Sequence, residues 1–193
     1  MTYTRLGGIL HEIGMTSEET VRSVVEDSGG HVDLHLSQYE AALALEEFGV
    51  AVSIHAEGIG SIHDGYCFLL ERAAKVAGDR AVIGNVRIVE VEGDLEDGRH
   101  DRLEFERDGR PVTISAEHYA EDYYDPAAAC AAIAETAHPD DPRCWYDIRF
   151  EREPRRIYDS VMVLAAPQQM RALCERVGFA ASAIPGSTSR GCS

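Results

Sequence analysis

The sequence predicts an α+β fold, in which helices pack on a mixed, mostly antiparallel sheet. Three observations carry this. Several segments place apolar residues at helical spacing between recognisable start and stop signals. Others alternate apolar and polar residues with a period of two. Two of these alternating segments are separated by Asp108-Gly109, a dipeptide suited to a two-residue hairpin turn. Both strand–helix–strand units and antiparallel pairing are therefore expected in one sheet.

The elements follow in order. Thr16 and Glu19 have the T-x-x-E form of a capping box, opening a helix to about Asp27 that Gly29-Gly30 ends. His31-Val-Asp-Leu-His-Leu36 alternates strictly and reads as a strand. Ser37 and Glu40 repeat the capping box before Tyr39–Phe48, with Gly49 as the stop. Val50–His55 is a second strand. A helix follows Ser61, with Leu69, Leu70, Ala73, Ala74 and Ala77 on one side and Gly78 at its end. Glu71 and Lys75 form a favourable i,i+4 pair on its solvent side. Ala81–Val91 is a third strand, and its phase slips between Ile88 and Val89, as a bulge would cause. Leu103 and Phe105 lead into the Asp108-Gly109 turn, and Val112 and Ile114 return.

Asp125-Pro126 reads as N-cap and first residue of an alanine-rich helix to Ala137. Tyr146, Ile148 and Phe150 alternate with charged residues as a strand. Val161-Met-Val-Leu164 reads as a more fully buried strand. Pro167 opens a last helix that carries Met170, Leu173, Cys174 and Val177 and stops at Gly178. The expected organisation is a single domain over residues 1–179 and a small, polar, flexible tail over 180–193.

At 193 residues the chain suits one domain. A chain of this size buries roughly 70% of its unfolded surface, so it needs no disulfide or metal to fold. Its charge is unusual. Eighteen Lys and Arg face 34 Asp and Glu, for a net charge of −16. Half of that excess lies before residue 60, where Arg5 and Arg22 are the only basic residues. Lys75 is the sole lysine, which with the many alanines suits a GC-rich bacterial coding bias. Such a field repels phosphate backbones and anionic membranes and attracts cationic partners. Direct nucleic-acid binding is not expected.

Cys67, Cys130, Cys144, Cys174 and Cys192 are odd in number and widely spaced, and read as reduced thiols. The first residues lack the apolar core of a signal peptide, and no window approaches the ~18 apolar residues of a membrane span. A cytoplasmic location is the expectation.

The candidate chemistry is sparse. His31, Asp33 and His35 share one face of the expected strand and are ligand types for zinc, iron or manganese. Same-face neighbours two apart lie roughly 6.5–7 Å apart, and residues four apart lie near ~13 Å. A straight strand therefore cannot offer both histidines to one ion. A bulge, or a further ligand such as His55 or His63, is required. Glu57–Gly65 sits between a strand and a helix, as a phosphate-cradling loop would. His63 stands where the third glycine should be, and no lysine follows, so it reads as a connection. No Gly-x-Ser-x-Gly motif is present.

The acidic stretch Glu90, Glu92, Asp94, Glu96 and Asp97 lies near Tyr119, Tyr123 and Tyr124. Aromatic rings among carboxylates are the material of a protein interface. The sequence thus points to a non-enzymatic acidic protein-binding module without a cofactor, an immunity- or inhibitor-type partner of a basic protein. The alternative is a small enzyme dependent on a divalent transition metal, using His31, Asp33 and His35 with His55 or His63.

Overall fold

The computed structural model describes residues 1–29, 34–55, 60–93, 99–118, 120, 122–151 and 159–184. Its elements are α1 (Tyr3–Glu12), α2 (Glu18–Asp27), α3 (Gln38–Glu47), β1 (Ala51–Ile54), α4 (Ile62–Val76), β2 (Ile83–Val89), β3 (Arg99–Arg107), β4 (Arg110–His118), α5 (Pro126–Ala134), β5 (Cys144–Arg149), β6 (Ser160–Ala165), α6 (Pro167–Val177) and β7 (Ala180–Ile184). The fold is α+β, as expected. The strands form two sheets, one of order β1-β6-β5-β7 and a meander of order β2-β3-β4. Every pairing in both is antiparallel.

The four-stranded sheet lies between two cores. Val161, Val163 and Ala165 of β6 enter a core shared with α1, α3 and α6. Met162 and Leu164 enter the opposite core, shared with α4, α5 and the meander. An antiparallel sheet covered on both faces has no solvent face, so β6 reads as a continuous apolar run. Trp145 is 1% exposed on the meander side of β5 and donates its indole N–H to Thr136 Oγ1 at 3.1 Å. Arg107 ties the meander to the end of α5. It is buried, contacts buried Glu135 at 3.4 Å and donates to the Ala137 carbonyl at 2.6 Å.

Local chemistry sets most element ends. Ser37 and Glu40 make both bonds of the expected capping box. Asp108 and Gly109 both take positive φ, 52° and 73°, which closes the β3–β4 hairpin. Asp125 accepts from Ala127 N–H at 2.7 Å and also from Glu117 N–H at 3.1 Å, joining α5 to β4. Gly178 ends α6 with φ 90°.

Several expectations are corrected. Leu34–Leu36 is not a strand, and Leu34 is 55% exposed, while residues 31–33 lie outside the described set. Leu36 is buried because it immediately precedes the cap of α3, where an apolar residue packs against the first turn. The cap of α2 is Ser17 rather than Thr16, whose hydroxyl donates to the Phe48 carbonyl. The bulge of β2 falls between Gly84 and Arg87, at the positive φ of Asn85. The stretch from Ala180 to Ile184, expected to be tail, pairs with β5 as β7, and the rest of that tail lies outside the described residues. Cys144 is disulfide-bonded, whereas Cys67, Cys130 and Cys174 are free. The cysteines therefore do not argue for a reducing compartment.

Helix α1 was not anticipated. Thr2 caps it by accepting from Arg5 N–H, and Leu6, Ile9 and Leu10 bury one face. The Gly7-Gly8 pair hides it in the sequence, since glycine opposes helix. Gly7 is there for close approach: a Cβ would lie 2.8 Å from Val21 Cγ1 and 3.0 Å from the Phe48 ring. At Gly8 a Cβ meets nothing within 4 Å. Gly7→Ala should therefore destabilise the protein by about 1–2 kcal/mol through overpacking. Gly8→Ala should be neutral or stabilise it by up to about 1 kcal/mol. Urea denaturation of both variants checks this, and equal effects would rule out the close-packing role.

Candidate functional site

The expected interface is divided by the fold. Glu90 and Glu92 are exposed where β2 runs out. Asp94, Glu96, Asp97 and Tyr119 lie outside the described residues. Tyr123 is half-buried. Tyr124 departs from the expectation, for it is 5% exposed and packs on Tyr66 with ring centroids 5.1 Å apart. Burial pushes its phenol up to about 12. Its place just before the α5 cap turns it into the core shared with α4 and the meander, so it cannot anchor a partner.

The histidine candidates are dispersed. His31 and Asp33 lie outside the described residues. His35 Nε2 is 3.0 Å from the amino nitrogen of Met1. His63 Nε2 is 3.7 Å from Cys67 Sγ, one turn along α4. Burial, with Asp64 nearby, pushes the Cys67 thiol up, so it is a poor nucleophile. Among the described residues no group of three His, Cys, Asp or Glu could hold a metal ion.

His55 is better placed than the sequence indicated. It follows β1, and its Nδ1 lies 3.0 Å from Asp159 Oδ2. Asp159, just before β6, is 5% exposed and also accepts from the Tyr39 hydroxyl at 2.7 Å. The His55 side chain remains 46% exposed. A buried carboxylate thus orients a histidine whose other ring edge meets solvent, which fixes the tautomer and leaves Nε2 for proton transfer or ligation. Arg72 of α4 lies beside this end of β1, paired with Glu46 and stacked on exposed Phe68 with 5.2 Å to the ring centroid.

A second histidine–aspartate pair went unnoticed in the sequence. Asp101 of β3 is 2% exposed, and its Oδ2 lies 2.6 Å from His118 Nδ1 on β4. Arg99 donates to the same oxygen at 3.0 Å, and Val91 N–H donates to Oδ1 at 2.9 Å. Glu90 lies 3.6 Å from Arg99 on the outside of this network. The residues occupy alternate positions across a hairpin, which brings 99, 101 and 118 together on one face.

Asp101 gives this network a pH dependence. Burial alone would raise its carboxyl, but the Val91 N–H, His118 and Arg99 more than offset that and hold it below the ordinary 3.8. A carboxylate whose folded-state value is depressed adds stability above the unfolded value, and that stability is lost as the pH falls through the folded value. Stability measured in urea should therefore drop as the pH is lowered below about 4. Asp101→Asn should be less stable at neutral pH and lose less on acidification. An unchanged acid slope in the variant would refute the assignment.

No protein-family model matches this chain, and no curated protein or solved structure is significantly similar to it.

Proposed function

We propose that this chain is an acidic protein-binding module, an immunity- or inhibitor-type partner of a basic protein. The observation that supports it best is where the charge sits. Helices α1, α2 and α3 share one side of the four-stranded sheet with α6 and turn their apolar residues inward. Outward they expose Glu18, Glu19, Glu26 and Asp27 of α2 and Glu40 and Glu47 of α3. Arg5 and Arg22 are the basic residues exposed on α1–α3, and α6 adds exposed Arg171 and Arg176. Ion pairs offset part of the charge on both sides of the sheet, Arg22 with Glu18 and Arg176 with Glu12 on the helices, and Arg87 and Arg102 with Glu104 on the meander. The first 60 residues thus carry half of the net charge, ten acids against two arginines, and the field of these helices steers a cationic surface toward them.

The test is association with a basic nuclease domain, with an acidic protein of similar size as control. The on-rate should fall about ten-fold or more between low and physiological salt. Reversing Glu26 and Asp27, in the last turn of α2, to Lys should slow it at low salt while leaving the thermal midpoint nearly unchanged. Absence of saturable binding, or binding indifferent to salt and to the reversals, would overturn the proposal.

A second reading, a small metal-dependent enzyme, draws on one observation. The His55–Asp159 pair has the arrangement in which a ligating histidine gives its second nitrogen to a carboxylate. It predicts stoichiometric zinc, iron or manganese in purified protein, lost in His55→Ala. Elemental analysis finding no transition metal, with no thermal shift on adding these ions, would remove it.

A further inference from the structure

We infer that the cleft between the N-terminus of α4 and the edge of the meander is a binding site for a small oxyanion, a carboxylate or a phosphate group. The cleft has a volume of about 330 Å³, at the lower end of the roughly 300–1,000 Å³ of small-molecule sites. Ser61, Ile62, His63, Arg87, Glu90 and His118 are among the residues that line it.

Two independent features point to a ligand. The first is the N-terminus of α4, a helix of 15 residues. The Ser61 hydroxyl accepts from Asp64 N–H at 3.3 Å. That leaves the first-turn N–H groups of Ile62 and His63 without a partner inside the helix, at its positive end. The second is His118. It is 4% exposed and its Nε2 is buried without a hydrogen-bond partner. A buried polar atom left this way costs free energy that a ligand would recover.

The chemistry selects an anion. Nδ1 of His118 lies 2.6 Å from Asp101 Oδ2 and 2.7 Å from Arg99 Nη2, so where it accepts from Arg99, or where the ring is doubly protonated, Nε2 has a proton to donate to the ligand. Arg87 adds a guanidinium at the rim. Its Nε and Nη2 are occupied by Glu104, at 3.0 and 2.8 Å, which leaves Nη1. Glu90 opposes an anion, but it is 68% exposed and already faces Arg99 at 3.6 Å. Donors therefore outnumber acceptors around the cleft despite the acidity of the whole protein.

The test is a nitrogen–proton NMR titration of the full chain at constant ionic strength. Inorganic phosphate and acetate are the probes, with chloride and methylammonium as controls. At least one oxyanion should give saturable shifts at the Ile62 and His63 amides and the His118 ring, and the ratio of the two affinities tells a phosphoryl site from a carboxylate site. Arg87→Gln, which also removes the exposed ion pair to Glu104, should weaken binding severalfold in a variant whose thermal midpoint shows it folded, and a folded His118→Gln should abolish it. No saturable shift with either oxyanion would overturn the inference. So would shifts with methylammonium instead, or undiminished binding in Arg87→Gln.

Discussion

Burial of β1 and β6 on both faces of the four-stranded sheet is the constraint from which the rest of the architecture follows. Strand β6 sends Val161, Val163 and Ala165 one way and Met162 and Leu164 the other, and all five are at most 3% exposed. With no solvent face, these two strands need a cover on each side, while β7 at the far edge stays partly exposed. One cover is helical, from α1, α3 and α6. The other is composite, from α4, α5 and the meander. A helix that packs by one stripe leaves a broad polar surface, and here that surface is acidic. The meander's outer face pairs acids with bases across strands, which is how neighbouring side chains of opposite charge stabilise a hairpin.

How far the sequence could be read depended on whether an element is defined locally. The Ser37–Glu40 box, the Asp108-Gly109 turn, the Asp125-Pro126 start and the Gly178 stop each need only a few adjacent residues, and all four were anticipated. The fuller burial of β6 was also evident, since it carries four consecutive large apolar residues. Where tertiary contacts decide, the reading failed. The alternation of His31–Leu36 suggested a strand, but Leu36 is buried as the residue before a helix cap. Gly7 reads as a helix breaker until Val21 and Phe48 are seen against it. Strand β7 has little propensity of its own and is a strand because β5 provides a partner. Tyr124 looked like surface material among acids and is core.

The polar centres show the same dependence. The sequence drew attention to His31, Asp33 and His35 because they are close together along the chain. The pairs that form are instead His55 with Asp159, 104 positions apart, and Asp101 with His118, 17 apart across a hairpin. One aspartate before a strand and one histidine after another carry no signal until the strands are placed side by side. His55 was named only as a supplementary ligand. Nothing beside His118 in the chain singles it out.

The strand order also has a consequence in time. In the sheet β1-β6-β5-β7, β1 lies next to a strand that begins more than 100 residues later. Closing so long a loop before any contact offsets it is slow. During synthesis the first three helices can pack on one another, but the faces that they and β1 turn to β6 stay open until that strand is made. The β2–β3–β4 ribbon has its partners within reach as soon as it leaves the ribosome. The middle of the chain is thus able to order first, and the two ends close over it afterwards.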